Sequence, residues 1–158
     1  MSDDAQRVAS ITLDEHTVVS RSPDIENERA AAIADLLTQN RFALASGRAG
    51  PFHLHLAIEE NRLVVDVRAE GDGSAETVIL PLGPFRQIVK DYFVVCENYY
   101  ATIRRANLTQ LEAIDVGRRS LHDEGSALLI ERLAGKATLD HDTARRLFTL
   151  ICVLHLRA

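Results

Sequence analysis

The sequence predicts an α+β fold, an antiparallel β-meander with an N-terminal helix packed on a helical C-terminal half of three helices. Three observations carry it. Between Phe52 and Leu82 apolar and polar side chains alternate in runs separated by turn residues. From Phe85 onward the apolar positions recur at three- and four-residue spacing instead. The pattern changes once, near Gly83, and a chain of 158 residues that is 46% hydrophobic fits one domain, with residues 1–83 sheet-rich and 84–158 helical.

Val8 to Leu13 reads as a short strand from its β-branched content. Ser22 followed by Pro23 is an N-cap with proline in the first turn, opening a helix through Leu37 that turns Ile25, Ala32, Ile33, Leu36 and Leu37 inward. Asp24, Glu26 and Glu28 near its start complement the positive end of the helix dipole. Ser46 to Gly50 is a loop. Phe52, Leu54, Leu56 and Ile58 then alternate with their polar-side neighbours, as do Leu63, Val65, Val67 and Ala69. With Glu60 and Asn61 as the tight turn, Leu56 stands opposite Val65 on the inner face and His55 opposite Asp66 on the outer. Gly71 to Ser74 turns the chain, Thr77 to Leu82 adds a strand, and Gly83 with Pro84 ends the sheet.

From Phe85 to Arg105 the apolar positions 85, 88, 89, 92, 96, 99 and 103 define an amphipathic helix. Asn107 with Gln110 three residues later resembles a capping box for a second helix, bent at Gly117 and ended by Gly135. Asp140 caps a third, where Leu147, Phe148, Leu150, Ile151, Cys152, Val153, Leu154 and Leu156 leave hardly a polar side. Such a helix is central to its half of the molecule, or it lends one face to a second subunit in a homodimer.

Net charge and motifs exclude several classes. The formal charge is −5, divided so that residues 1–83 hold 7 arginines against 14 acids and the remainder 11 basic residues against 9 acids. The C-terminal half is therefore the anion-facing one, while the absence of a dense basic stripe disfavours nucleic acid. Met1 to Arg7 lacks the apolar core of a secretory signal, and no stretch approaches the roughly 18 apolar residues of a membrane span. A cytoplasmic protein that does not engage a membrane is expected. Cys96 and Cys152 sit in apolar helical patterns as reduced, packed thiols. No phosphate-cradling glycine loop, dinucleotide fingerprint, nucleophile elbow or zinc motif occurs, so no cofactor is expected.

The core-facing stripe of the penultimate helix reads Leu111, Ile114, Arg118, Leu121, His122, Gly125, Leu128, Leu129 and Arg132. Arg118, His122 and Arg132 thus point where hydrocarbon belongs, and a buried charge needs a partner or a ligand. Gly125, one turn beyond His122, removes a side chain from the space beside them. Arg118 could grip a carboxylate or phosphate with two hydrogen bonds, with His122 as the candidate general acid or base. The structural alternative is an internal salt bridge to the acidic N-terminal half, with His122 a satisfied core histidine. Among the pairs Arg104/Arg105, Arg118/Arg119 and Arg145/Arg146, local partners are expected, Asp115 for the second and Asp142 for the third. Arg145 is kept as a further ligand-binding candidate. His53 and His55 share a strand face with Asp66 across the hairpin, three corners of a conceivable metal site, although histidines are ordinary on a solvent-facing sheet. Tyr99 and Tyr100 split between core and rim.

The segments Arg21–Leu37 (RSPDIENERAAAIADLL), Arg86–Ile103 (RQIVKDYFVVCENYYATI), Ile114–Lys136 (IDVGRRSLHDEGSALLIERLAGK) and Asp142–Arg157 (DTARRLFTLICVLHLR) resemble the uncharacterised bacterial protein family UPF0262. The resemblance spans nearly the whole chain. It implies a bacterial cytoplasmic protein and transfers no activity, cofactor or catalytic residue. The residues themselves favour a non-enzymatic binding or regulatory module that engages a protein partner or a small anion through its helical half. The alternative is a small hydrolase or transferase for a phosphorylated or carboxylated substrate, with His122 moving the proton.

Overall fold

A computed structural model describes residues 5–14, 23–105 and 108–155. The chain runs through β1 (Val8–Leu13), α1 (Pro23–Thr38), β2 (Phe42–Leu44), β3 (Phe52–Glu59), β4 (Arg62–Ala69) and β5 (Ala75–Pro81). A 3₁₀ turn (Gly83–Phe85) leads into α2 (Arg86–Arg104), α3 (Leu108–Leu133), β6 (Ala137–Leu139) and α4 (His141–His155). The expected caps Ser22 and Asn107, and Leu156, lie outside the described residues.

Two residues set the centre of the sheet. Glu60 and Asn61 adopt positive φ of 53° and 60°, as a two-residue type I′ turn requires. The register follows, with Leu56 opposite Val65 and His55 opposite Asp66. β3, β4 and β5 form the antiparallel meander, and the four-stranded sheet has the order β1-β3-β4-β5. It is mixed rather than wholly antiparallel, because β1 pairs parallel to β3 and the chain returns through α1 and β2 between them. At the outer edge of β1, Asn40 acts as a substitute strand. Its Oδ1 accepts from the Val8 amide at 2.6 Å, and its Nδ2 donates to the carbonyls of Val8 (3.0 Å) and Leu36 (2.8 Å). β2 and β6, three residues each, make a separate antiparallel pair.

The helices cover the sheet's apolar face. Leu54, Leu56 and Val65 look across a gap of about 20 Å³ at Leu129, Leu133, Leu147 and Ile151. α4 begins where Asp140 Oδ1 accepts from the Thr143 amide at 3.0 Å, an N-cap bond. Every residue from Leu147 to Leu154 is buried, and α4 packs against α1, α2, α3 and β3. Its apolar circumference is thus consumed within the chain, which removes the argument for a second subunit drawn from it. α3 runs through Gly117 as one helix and ends before Gly135, at φ +85°. Gly125 does not leave open space: a Cβ there would stand 2.6 Å from ring carbons of Phe148, which fills the position. Leu37, expected inside, is 42% exposed. Among the described residues no helix is long and apolar enough to cross a membrane.

Candidate functional site: a cleft between α1, α3 and α4

Glu28 lies on the same α1 face as the buried Ala32 and Leu36 and is itself 4% exposed. Four hydrogen bonds from two tyrosines and an arginine make this tolerable. The hydroxyls of Tyr92 and Tyr100 donate to it at 2.5 and 2.7 Å, and Arg118 Nη2 reaches both carboxylate oxygens at 2.8 and 2.9 Å. Arg118 also stacks over the Tyr99 ring at 4.8 Å. Burial pushes the Glu28 carboxyl upward, but the hydrogen bonds from Arg118 and the tyrosines, together with the arginine's charge, hold it below its ordinary value. Arg118 stays charged: burial opposes this, and Glu28 outweighs burial. Burial raises the Tyr92 hydroxyl and pushes the neighbouring Cys96 thiol up to about 12, so this cysteine is no thiolate nucleophile.

His122 extends this network. Its Nε2 is 3.3 Å from both Tyr92 Oη and Thr149 Oγ1. Tyr92 spends its proton on Glu28, and Thr149 donates to the Arg145 carbonyl at 3.2 Å. Nε2 therefore carries the hydrogen and donates to both oxygens, an assignment made from the network. Burial first, then the charge of Arg118, lowers the imidazole to about 4. It is neutral near pH 7.

Beside this network opens a cleft of about 260 Å³. Its lining includes the cations Arg118, Arg119, Arg145 and Arg146 and the acids Glu28, Asp35 and Asp115. Arg118 pairs with Glu28 at 2.8 Å and Arg119 with Asp115 at 3.1 Å. Arg145 and Arg146 differ. Both are half-buried, and among the described residues neither has a carboxylate within 4.0 Å. The expected offset by Asp142 does not form: the aspartate is exposed, one residue into α4, and among the described residues it makes no ion pair with Arg145 or Arg146.

The cleft thus brings together Arg118, His122 and Arg145 and leaves out Arg132, which is exposed. In the last turn of α3 the buried stripe passes through Leu129 and Leu133, and Arg132 stands beside it in solvent. At the opposite face of the sheet, His53 Nδ1 is 2.6 Å from Ser10 Oγ and His55 Nδ1 is 2.7 Å from Thr12 Oγ1. Asp66 is across the strand pair as expected, but among the described residues no cluster of three or more His, Cys, Asp or Glu could hold a metal.

A second constellation escaped the sequence reading. Ser126 Oγ is 3.0 Å from His141 Nδ1, and His141 Nε2 is 3.1 Å from Asp123 Oδ1. The three residue types are those of a hydrolytic triad, but the burial is reversed. Ser126 is fully buried and donates to the His141 carbonyl at 2.8 Å, while the Asp123 side chain is 62% exposed. It ties α3 to the start of α4. Sequence reading also missed Glu28, Tyr92 and Tyr100 as one node. Signals existed: Glu28 shares i, i+4, i+8 spacing with Ala32 and Leu36, and Tyr92, Cys96 and Tyr100 repeat that spacing on α2.

A family model described as an uncharacterised protein family (UPF0262) matches residues 5–157. The chain is 57% identical to the UPF0262 protein of Rhodospirillum rubrum, with 98% of this chain and 95% of that protein covered. It is 54% identical to UPF0262 proteins of Rhodopseudomonas palustris (97% and 94% covered) and Nitrobacter winogradskyi (97% and 92%). No solved structure matches.

Proposed function

The chain belongs to the uncharacterised protein family UPF0262, and from that premise we propose that it is a non-enzymatic binding module that takes a small anion into the cleft between α1, α3 and α4. One observation carries the reading. Arg145 and Arg146 are half-buried at the cleft and lack a carboxylate among the described residues. Partly buried guanidiniums without a counter-charge gain from a carboxylate or phosphate that supplies two hydrogen bonds and the opposite charge. Arg118 and His122 form the adjoining wall, the arginine held by Glu28 and the imidazole by its own hydrogen bonds.

The hydrolase or transferase reading fits less well. His122 is 9% exposed, and its Nε2 hydrogen is already donated internally. Neither of the chemically apt nucleophiles, Cys96 and Ser126, reaches solvent.

Isothermal titration with inorganic phosphate at low ionic strength tests the proposal. The expected result is saturable binding to the unaltered protein that weakens about tenfold or more in Arg145→Gln and in Arg146→Gln, since a charge-assisted hydrogen bond contributes about 1.5–3 kcal/mol. Arg132→Gln should bind as before. Equal binding by all four proteins, or no binding by any, would overturn the reading.

A further inference from the structure

We infer that the ligand of this cleft is a small metabolite that carries two negative charges and one ammonium, of the acidic amino acid or amino-phosphate class. The inference rests on the anion-binding reading and adds the second half of the recognition. Asp35 lies seven residues beyond Glu28 on α1, two helical turns along the same face, and lines the same cleft. Among the described residues Asp35 too has no ion-pair partner within 4.0 Å. One wall therefore offers a carboxylate and the other two guanidiniums, with no ion pair within 4.0 Å between them.

A simple dianion would satisfy Arg145 and Arg146 but would suffer repulsion from Asp35. A molecule that sets an ammonium against Asp35 while its anionic groups meet the arginines satisfies all three. The charge count agrees. Four arginines face three acids across the lining, a surplus of one positive charge, and two negative charges with one ammonium supply its complement. Size agrees as well, because a cleft of about 260 Å³ falls below the roughly 300–1,000 Å³ of drug-sized ligand sites.

Titration calorimetry near neutral pH with L-glutamate, O-phosphoethanolamine, glutarate and inorganic phosphate separates the possibilities. Glutarate keeps both carboxylates of glutamate and lacks its ammonium. The inference expects L-glutamate or O-phosphoethanolamine to bind about tenfold or more tighter than glutarate, and whichever of the two binds tighter identifies the anionic group. In Asp35→Asn that preference should shrink to about twofold or less, and Asp35→Glu should restore part of it. Asp35 is exposed, so these variants leave the core untouched. If glutarate binds as tightly as L-glutamate and O-phosphoethanolamine, or if the preference survives in Asp35→Asn, the inference is overturned while anion binding stands. If phosphate and all three organic probes fail to bind the unaltered protein, both fail together.

Discussion

Arg118→Ala tests whether the Glu28 node is a keystone of the helical layer. The substitution strands the Glu28 carboxylate, whose side chain is 5% exposed, by removing an arginine whose side chain is 20% exposed. Removing one partner of a buried ion pair costs about 3–5 kcal/mol. Here the lower end applies, about 3 kcal/mol, because Arg118 is partly solvated and Tyr92 and Tyr100 keep donating to Glu28. For a domain of this size that lowers the melting temperature by about 6–12 °C. The pH dependence gives a second signature. In the unaltered protein Glu28 titrates below its ordinary 4.5, so its contribution is present above that pH and lost as pH falls through the folded value. Without Arg118, burial pushes the carboxyl upward, the folded variant takes up a proton more readily, and its deficit shrinks on acidification. Urea unfolding at neutral pH and near pH 4.5 measures both. A deficit under about 1 kcal/mol at neutral pH, or one that does not change with pH, would refute the reasoning.

Other consequences follow from single contacts. Asn40→Ala removes three hydrogen bonds at the edge of β1 and should cost about 2 kcal/mol by urea unfolding; a cost near zero would mean that water replaces the side chain. Gly125→Ala drives a methyl into the Phe148 ring, and overpacking of about 1–3 kcal/mol should exceed the gain of up to about 1 kcal/mol in helix propensity. A raised melting temperature would show that the ring moves aside freely. The His122 imidazole, lowered from 6.5 to about 4, should show flat ring-proton NMR shifts between about pH 8 and pH 5.5. Its contribution to stability is full above 6.5 and lost as pH falls toward 4; a titration midpoint near 6.5 would contradict the burial that causes the shift.

What was legible in the sequence was what neighbouring residues decide. The β3–β4 register follows from two turn residues and a period of two, and both were visible. The parallel partner of β1 was not, because Ile11 and Leu54 are joined through a helix and no local pattern encodes which strand edge the returning chain finds. β2 and β6 are too short for any alternation to register. In α3 a wide stripe of apolar positions admitted Arg132, although the narrower line through Leu129 and Leu133 is the buried one. Glu28 reads equally well as a dipole complement and as a buried acid; what decides is Arg118, 90 residues away. The internal salt bridge set against a ligand role for Arg118 is thus present, and the cleft's arginines without an ion pair among the described residues lie one helix over, on α4.

The central proposal is a division of labour: Arg118 is paired with Glu28 within the fold, and Arg145 with Arg146 are proposed to meet the anion. Side-chain Nε–H NMR signals of the three arginines, followed through a phosphate titration, test it most directly. The account predicts saturable shifts for Arg145 and Arg146 with Arg118 unmoved. Shifts confined to Arg118, or three signals indifferent to phosphate, would contradict it.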